Sequence, residues 1–249
     1  MNPLLAFQLR RVARNRQYLF FTVLLPAAFT VFFTKIFGAG ADPSSSDYQD
    51  AAGAYMVSMM AYGAIGAALG ATIRLSFDRA SGWLRQLRVT PVPQSNVFAV
   101  DIAVGTLLAL PSLLVVALVG RFVNGVQEPL GTWVTLIGVL WVGSIAFVAL
   151  GLLLGLALDE KAAGGAMGIV ATVLAALGGL WIPVEVFPES MRTVAHAMPS
   201  YWYAELGRDV ASGSAPSAGA VAVLAAYALC FAVLAVAVAR RRPLYAVAG

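Results

Sequence analysis

Six apolar runs, each about as long as a helix needs to cross a bilayer, constrain this chain more than anything else in it. Spanning the hydrocarbon core as α-helix takes roughly 20 residues. The runs lie at Tyr18–Phe37, Ala51–Ile73, Val97–Gly120, Thr132–Leu158, Gly164–Pro183 and Ala218–Ala239. They are too long, and alternate too weakly, for barrel strands. Only 11% of the side chains are charged, whereas a soluble domain carries about 25%. The chain is therefore expected to form an all-α membrane protein, one six-span bundle over residues 1–249. Pro26 and Pro111 fall inside the first and third runs and are expected to kink them, because proline lacks a backbone donor and its ring meets the carbonyl four residues back. Ala39-Gly40-Ala41 resembles a cleavage site. The run before it exceeds the roughly 7–15 apolar residues of a signal core, so it is read as a retained span.

Six spans put both termini on one side, and Lys and Arg decide which side that is. Arg10, Arg11, Arg14, Arg16, Arg74, Arg79, Arg85, Arg88, Lys161, Arg240, Arg241 and Arg242 fall on one face of the membrane. Lys35, Arg121, Arg192 and Arg208 fall on the other, with most of the carboxylates: Asp42, Asp47, Asp50, Glu128, Glu185, Glu189, Glu205 and Asp209. Both termini, and the connection between the second and third spans, are thereby assigned to the cytoplasm.

The span interiors hold almost no ionisable groups, although ion-coupled transporters need them at depth. Lys35 and Arg121 sit near span ends, where they can snorkel. Asp101 lies about a turn inside the third span, as a cap or interfacial partner of a nearby arginine. No G-x-x-x-x-G-K-[ST] phosphate loop occurs, so this chain has no nucleotide site of its own. His196 stands alone, without the cluster a zinc site needs, and a pairing with Ser190 or Ser200 lacks the G-x-S-x-G context of acyl chemistry. Cys230 lies in an apolar run and reads as packing. Small residues spaced as GxxxG occur at Gly66/Gly70, Gly151/Gly155 and Gly164/Gly168. That spacing lets helices approach closely, within the bundle or across a homodimer seam.

Residues 77–96, "FDRASGWLRQLRVTPVPQSN", stand out as the charged exception. On a helix, Phe77, Ala80, Trp83, Leu84 and Leu87 share one face, while Asp78, Arg79, Arg85 and Arg88 fill the other, and Pro91 and Pro93 end any helix near Thr90. Two uses fit equally well: an interfacial helix on anionic lipid, or a short helix seated in a groove of a cytoplasmic partner. In detail the stretch resembles the loop between spans two and three in membrane subunits of type-2 ABC exporters, through Asp78, Arg79, Gly82, Leu84, Leu87, Thr90 and Pro91. Ala80 replaces that family's second acidic residue, and Trp83 stands where threonine is common. The resemblance implies that this is the coupling helix, with Gly82, Trp83, Leu84, Arg85, Leu87 and Arg88 contacting a separate ABC ATPase subunit present in two copies. It also implies a second copy of this chain or a related one. ATP and magnesium would bind that ATPase, and no cofactor would bind this chain.

Two further stretches carry the same resemblance. Ahead of the first span, Leu5, Leu9 and Val12 oppose a basic face over residues 1–17, like the family's interfacial connecting helix. Between the fifth and sixth spans, residues 184–217 and the end of span five place Pro183, Pro188 and Pro199 among Trp181, Phe187, Tyr201, Trp202 and Tyr203. The family has short re-entrant extracellular helices there, which nominates Trp181, Pro183, Phe187, Pro199 and Tyr201 as an outer gate; an aromatic interfacial belt is the other reading. Phe29, Phe33, Met56, Met59 and Met60 are candidates to line a pathway or, equally in type, to pack the bundle. The resulting expectation is the membrane subunit of an ATP-driven exporter of hydrophobic or amphipathic cargo (drug, antibiotic or lipid) in a bacterial cytoplasmic membrane, similar to the drug- and antibiotic-resistance permeases of that family. Export of polysaccharide or polyol-phosphate, an ATP-independent channel or secondary transporter, and a non-transporting scaffold are the alternatives.

Overall fold

A short helix, α1 (Pro3–Ala13), precedes the first span. In the computed structural model, which describes residues 3–37, 42, 45–81 and 94–241, the chain then runs through α2 (Arg16–Leu19), a π-helical turn (Phe20–Leu24), α3 (Leu25–Phe37), α4 (Ser46–Thr72), α5 (Arg74–Ala80), α6 (Gln94–Phe122), α7 (Leu130–Gly143), α8 (Ile145–Ala157) and α9 (Glu160–Leu177). A 3₁₀ turn (Val184–Val186), α10 (Glu189–His196), α11 (Pro199–Ala211) and α12 (Ala218–Arg241) complete it. Among the described residues, six helical stretches are long and apolar enough to cross a membrane: Arg16–Ile36, Ser46–Ala80, Asn96–Phe122, Leu130–Ala157, Glu160–Leu177 and Ala218–Arg241.

The two prolines behave differently. Pro26 cannot donate to the Thr22 carbonyl, and the backbone just ahead of it widens into the π turn, where the Leu25 amide donates to the Phe20 carbonyl. The hydroxyls of Thr22 and Thr30 donate to the carbonyls of Tyr18 and Pro26, both at 2.8 Å. Around Pro111, by contrast, α6 is a single uninterrupted helix. The fifth span also departs from its sequence reading. It ends at Leu177 rather than Pro183, because Gly178 closes the helix and Gly179 takes a positive φ of 73°, a conformation costly for a residue with a Cβ.

The second span is the central column of the bundle. Met56, Met59, Met60, Ile65 and Leu69 are buried on it, and α6, α8, α3 and α11 all pack around it. Small residues permit this. A Cβ on Gly151 would overlap the Thr72 hydroxyl, and one on Gly155 would lie 2.9 Å from the Thr72 carbonyl oxygen. Gly66 and Gly70 face Thr22 and Tyr18 of the first span. These two GxxxG pairs are therefore internal seams. The third is not: nothing lies within 4 Å of a Cβ on Gly164 or Gly168.

Polar ties fix the helices where apolar packing alone would let them slide. The Trp141 indole donates to the Thr106 carbonyl (2.8 Å), joining α7 to α6. The Asn124 amide donates to the Thr30 carbonyl (3.1 Å) and Thr34 hydroxyl (2.9 Å), joining the end of α6 to α3. Leu5 and Leu9 pack with buried Val12 against Ala71, Val100 and Val104. The apolar stripe of α1 thus meets the bundle itself.

Candidate functional site

Two clusters, at opposite ends of the bundle, gather the residues that the sequence singles out. On the arginine-rich side, α5 continues the second span and is the root of residues 77–96. The sequence periodicity puts Asp78 on the polar face of this segment, opposite the apolar arc. It is instead buried, 4% exposed, and accepts a 2.7 Å hydrogen bond from Arg11 Nη1 of α1. Helical spacing cannot anticipate a counter-ion supplied from 67 residues away. Beside it, Arg79 Nη1 donates to the Leu156 carbonyl at 2.6 Å. Leu156 belongs to the last turn of α8, whose carbonyls lack helical partners and favour a cation. The Arg74 guanidinium lies 5.5 Å from the centre of the Tyr18 ring, and the Tyr18 hydroxyl donates to the Ala67 carbonyl (2.8 Å). Asp101 of α6 lies within the electrostatic field of Arg11, Arg74 and Asp78. The α5 root is thereby tied to α1 on one flank and to the end of α8 on the other. Gly82, Trp83, Leu84, Arg85, Leu87 and Arg88, the expected partner contact, lie outside the described residues.

At the other end, the stretch between the fifth and sixth spans folds into a compact cap. Phe187 is buried with Val184 and Ala195, and Tyr201 packs against them. Arg192 staples the turn, its Nε and Nη2 donating to the carbonyls of Phe187 (2.9 Å) and Glu185 (2.6 Å). The Ser200 hydroxyl donates to the Leu174 carbonyl (2.6 Å), holding buried Pro199 and the start of α11 against the end of α9. Tyr201 lies 4.7 Å from the His196 ring and 5.4 Å from the Arg208 guanidinium. Burial, reinforced by Glu205, raises its hydroxyl above the ordinary tyrosine value.

Trp181 links this cap to the spans. Its indole meets the Tyr62 ring edge-on at 5.7 Å and the Phe29 ring at 6.5 Å. Phe29 contacts Phe33, which stacks on Tyr55 at 6.0 Å. The structure thus brings one gate candidate and two pathway candidates into a single aromatic cluster, and adds Tyr55 and Tyr62, which the sequence did not single out. A cavity of about 310 Å³ adjoins it, walled by Ala54, Tyr55, Ser58, Pro183, Glu185 and Arg208 among others. Met56, Met59 and Met60 are fully buried in the chain's own core.

Tyr203 corrects the sequence reading. It was grouped with boundary aromatics, yet it is fully buried, and its hydroxyl donates to the Leu140 carbonyl at 2.6 Å. Burial keeps that hydroxyl protonated far above its ordinary range. The signal was present in the helical spacing of Pro199, Tyr203, Leu206 and Val210, all buried on α11. Removing the oxygen with Tyr203→Phe leaves the Leu140 carbonyl without that partner. The expected cost is about 1 kcal/mol, read as a lowered Tm in detergent with the fold retained.

Comparison with known proteins identifies the framework that carries these clusters. Residues 3–211 match the family model "ABC-2 type transporter". The chain belongs to the ABC-2 type transporter family. It is also 26% identical, over 238 residues covering 94% of this chain and 95% of the relative, to the "Putative transport permease YvfS" of Bacillus subtilis (strain 168). Membership makes this chain the transmembrane subunit of an ABC transporter, a multi-pass membrane protein whose family context supplies the ATPase as a separate partner. Within an ABC-2 subunit, the ion-paired α5 root lies on the arginine-rich side, and the aromatic cluster and cap at the opposite end.

Proposed function

We propose that this chain is the translocating half of an exporter that moves hydrophobic or amphipathic cargo outward across the cytoplasmic membrane, driven by ATP hydrolysed on two copies of a separate ABC ATPase. Both termini are cytoplasmic, two such chains form the pathway, and residues 82–88 seat in the ATPase. The observation that carries this reading is the anchoring of α5. A lever transmits work only if its root is rigid, and Arg11–Asp78 and Arg79–Leu156 tie that root to two helices at once. Displacement of the segment then moves α1, the second span and α8 together. The nature of the cargo is argued from the other end: Phe29, Phe33, Tyr55, Tyr62 and Trp181 offer ring faces, and the polar groups beside the cavity are few. Such lining suits apolar bodies with a few polar groups. Trp181, Pro183, Phe187, Pro199 and Tyr201 form the outer gate of this pathway.

The test is reconstitution with and without a partner ABC ATPase. Transport of a fluorescent amphipathic cargo is expected only with the ATPase and ATP. Arg85→Glu/Arg88→Glu is expected to cut transport at least tenfold while hydrolysis continues, since reversing interface charges costs about 2 kcal/mol or more. Cargo movement in vesicles lacking any ATPase, or labelling of a cysteine at Trp83 from outside the cell, would refute the proposal.

A further inference from the structure

Away from both clusters, the helices α6, α8 and α12 enclose a groove of about 680 Å³ with a lining that is apolar throughout. Its floor is made by small side chains. Ala228, Ala232, Ala235 and Ala239 recur on α12 at intervals of four, three and four residues, one helical face, and they oppose Ala149 and Phe98 among others. Alanines there leave a trench that longer side chains would have filled. From Ala228 to Ala239 the trench runs about 16 Å along the helix at 1.5 Å per residue. One leaflet of hydrocarbon is about 15 Å thick, half of the roughly 30 Å core. The groove therefore spans a single leaflet. That leaflet is on the arginine-rich side, since α6 begins and α8 and α12 end at this level.

A second, shallower depression on α12 shares Ala232 and Val236 with the groove and ends at Arg240 and Arg241, both exposed. An apolar trench one leaflet long is thus continuous with two cations at headgroup depth. We propose that this surface binds an anionic diacyl phospholipid, with acyl chain in the alanine trench and phosphate at Arg240 and Arg241. The position of the arginines selects against a zwitterionic lipid: a phosphatidylcholine headgroup carries a compensating cation and gains less there.

Purified chain in bilayers of equal parts phosphatidylcholine and phosphatidylglycerol, matched in chain length, is extracted and its retained lipid measured by native mass spectrometry. Phosphatidylglycerol is expected to be retained on the order of tenfold over phosphatidylcholine, as two surface arginines allow. Arg240→Gln/Arg241→Gln is expected to abolish the preference. Ala232→Phe, which fills the trench and leaves the charges, is expected to abolish retention of either lipid, with an unchanged elution profile reporting a folded chain. Retained lipid that mirrors the bulk mixture would overturn the proposal. So would a preference that survives Ala232→Phe, which would indicate charge attraction without a seat. A cysteine at Ala232, in a Cys230→Ser background, that cross-links two chains would place a second copy in the trench instead and equally overturn it. None of these readouts depends on an ATPase.

Discussion

Replacing Asp78 with alanine is expected to lower the stability of the purified chain by about 2 kcal/mol and to reduce transport per ATP hydrolysed in the assembled transporter. The stability figure lies between two limits. Breaking a fully buried ion pair costs roughly 3–5 kcal/mol, and an exposed one contributes only about 0–1 kcal/mol. Here one partner is buried and the other is not: the side chains are 6% and 41% exposed for Asp78 and Arg11. The neighbourhood adds to the penalty. Arg74 has an Nη1 that is buried without an acceptor, and Asp78 lies within its electrostatic field. Removing Asp78 takes away the carboxylate that bonds Arg11 and lies in the field of Arg74. Arg11→Ala should cost less, because the Asp78 carboxylate stays within the field of Arg74, and Asp78→Asn should fall between the two, keeping the hydrogen-bond acceptor without the charge. A double-mutant cycle on Arg11 and Asp78, read from thermal unfolding, is expected to return a coupling of about 1 kcal/mol or more. If Asp78→Ala leaves both stability and the ratio of transport to hydrolysis unchanged, the α5 root is not held by this contact and the lever argument loses its support.

That pair also marks where the sequence stops being informative. Hydropathy located all six spans, and four of them to within two residues at each end, because lipid admits only long apolar helices whose backbone groups are satisfied internally. The end of the fifth span was misplaced for a related reason. Gly178, Gly179, Leu180, Trp181 and Ile182 keep the run apolar, and hydropathy does not distinguish a helix from an apolar turn. Only the positive φ of Gly179 separates them. Asp78 and Arg79 were legible as part of a charged motif but not as anchored groups, since their partners, Arg11 and the Leu156 carbonyl, are remote in sequence. The aromatic cluster was half legible. Phe29, Phe33 and Trp181 are conspicuous by type, whereas Tyr55 and Tyr62 join them only through the rotation of α4, which packing against α6 and α8 determines. The methionines of the same helix show the converse: Met56 faces Gly120 across the core, a contact that only the missing side chain of a distant glycine makes room for.

A leucine at Gly155 is expected to prevent accumulation of folded chain, whereas a leucine at Gly168 is expected to leave the single chain folded. Both glycines belong to GxxxG pairs, and the sequence treats them alike. At Gly155 the added Cβ meets the backbone of Thr72 at 2.9 Å and the Leu75 side chain at 3.3 Å, and backbone cannot step aside as a flexible side chain can. The α8–α4 seam would have to open along its length. Overpacking in a tolerant core costs about 1–3 kcal/mol; here the clash is with the central column around which the other spans pack, so the upper end or beyond applies. At Gly168 the added side chain enters open space on a helix with few buried residues, and exchanging Gly for Leu favours the helix by up to about 1 kcal/mol. Fluorescence-detected size exclusion separates the two cases, with the Gly155 variant aggregated or absent and the Gly168 variant eluting as folded protein. The open stripe on α9 acquires a role in the proposed two-chain pathway, because small residues left uncovered in one chain can seat a helix of another. On that reading the Gly168 variant folds but loses self-association and, with it, transport. A Gly168→Leu chain that remains dimeric would place the pairing surface on another face of the bundle, and a folded Gly155→Leu chain would show that the α8–α4 seam is wider than the backbone contact at Thr72 allows.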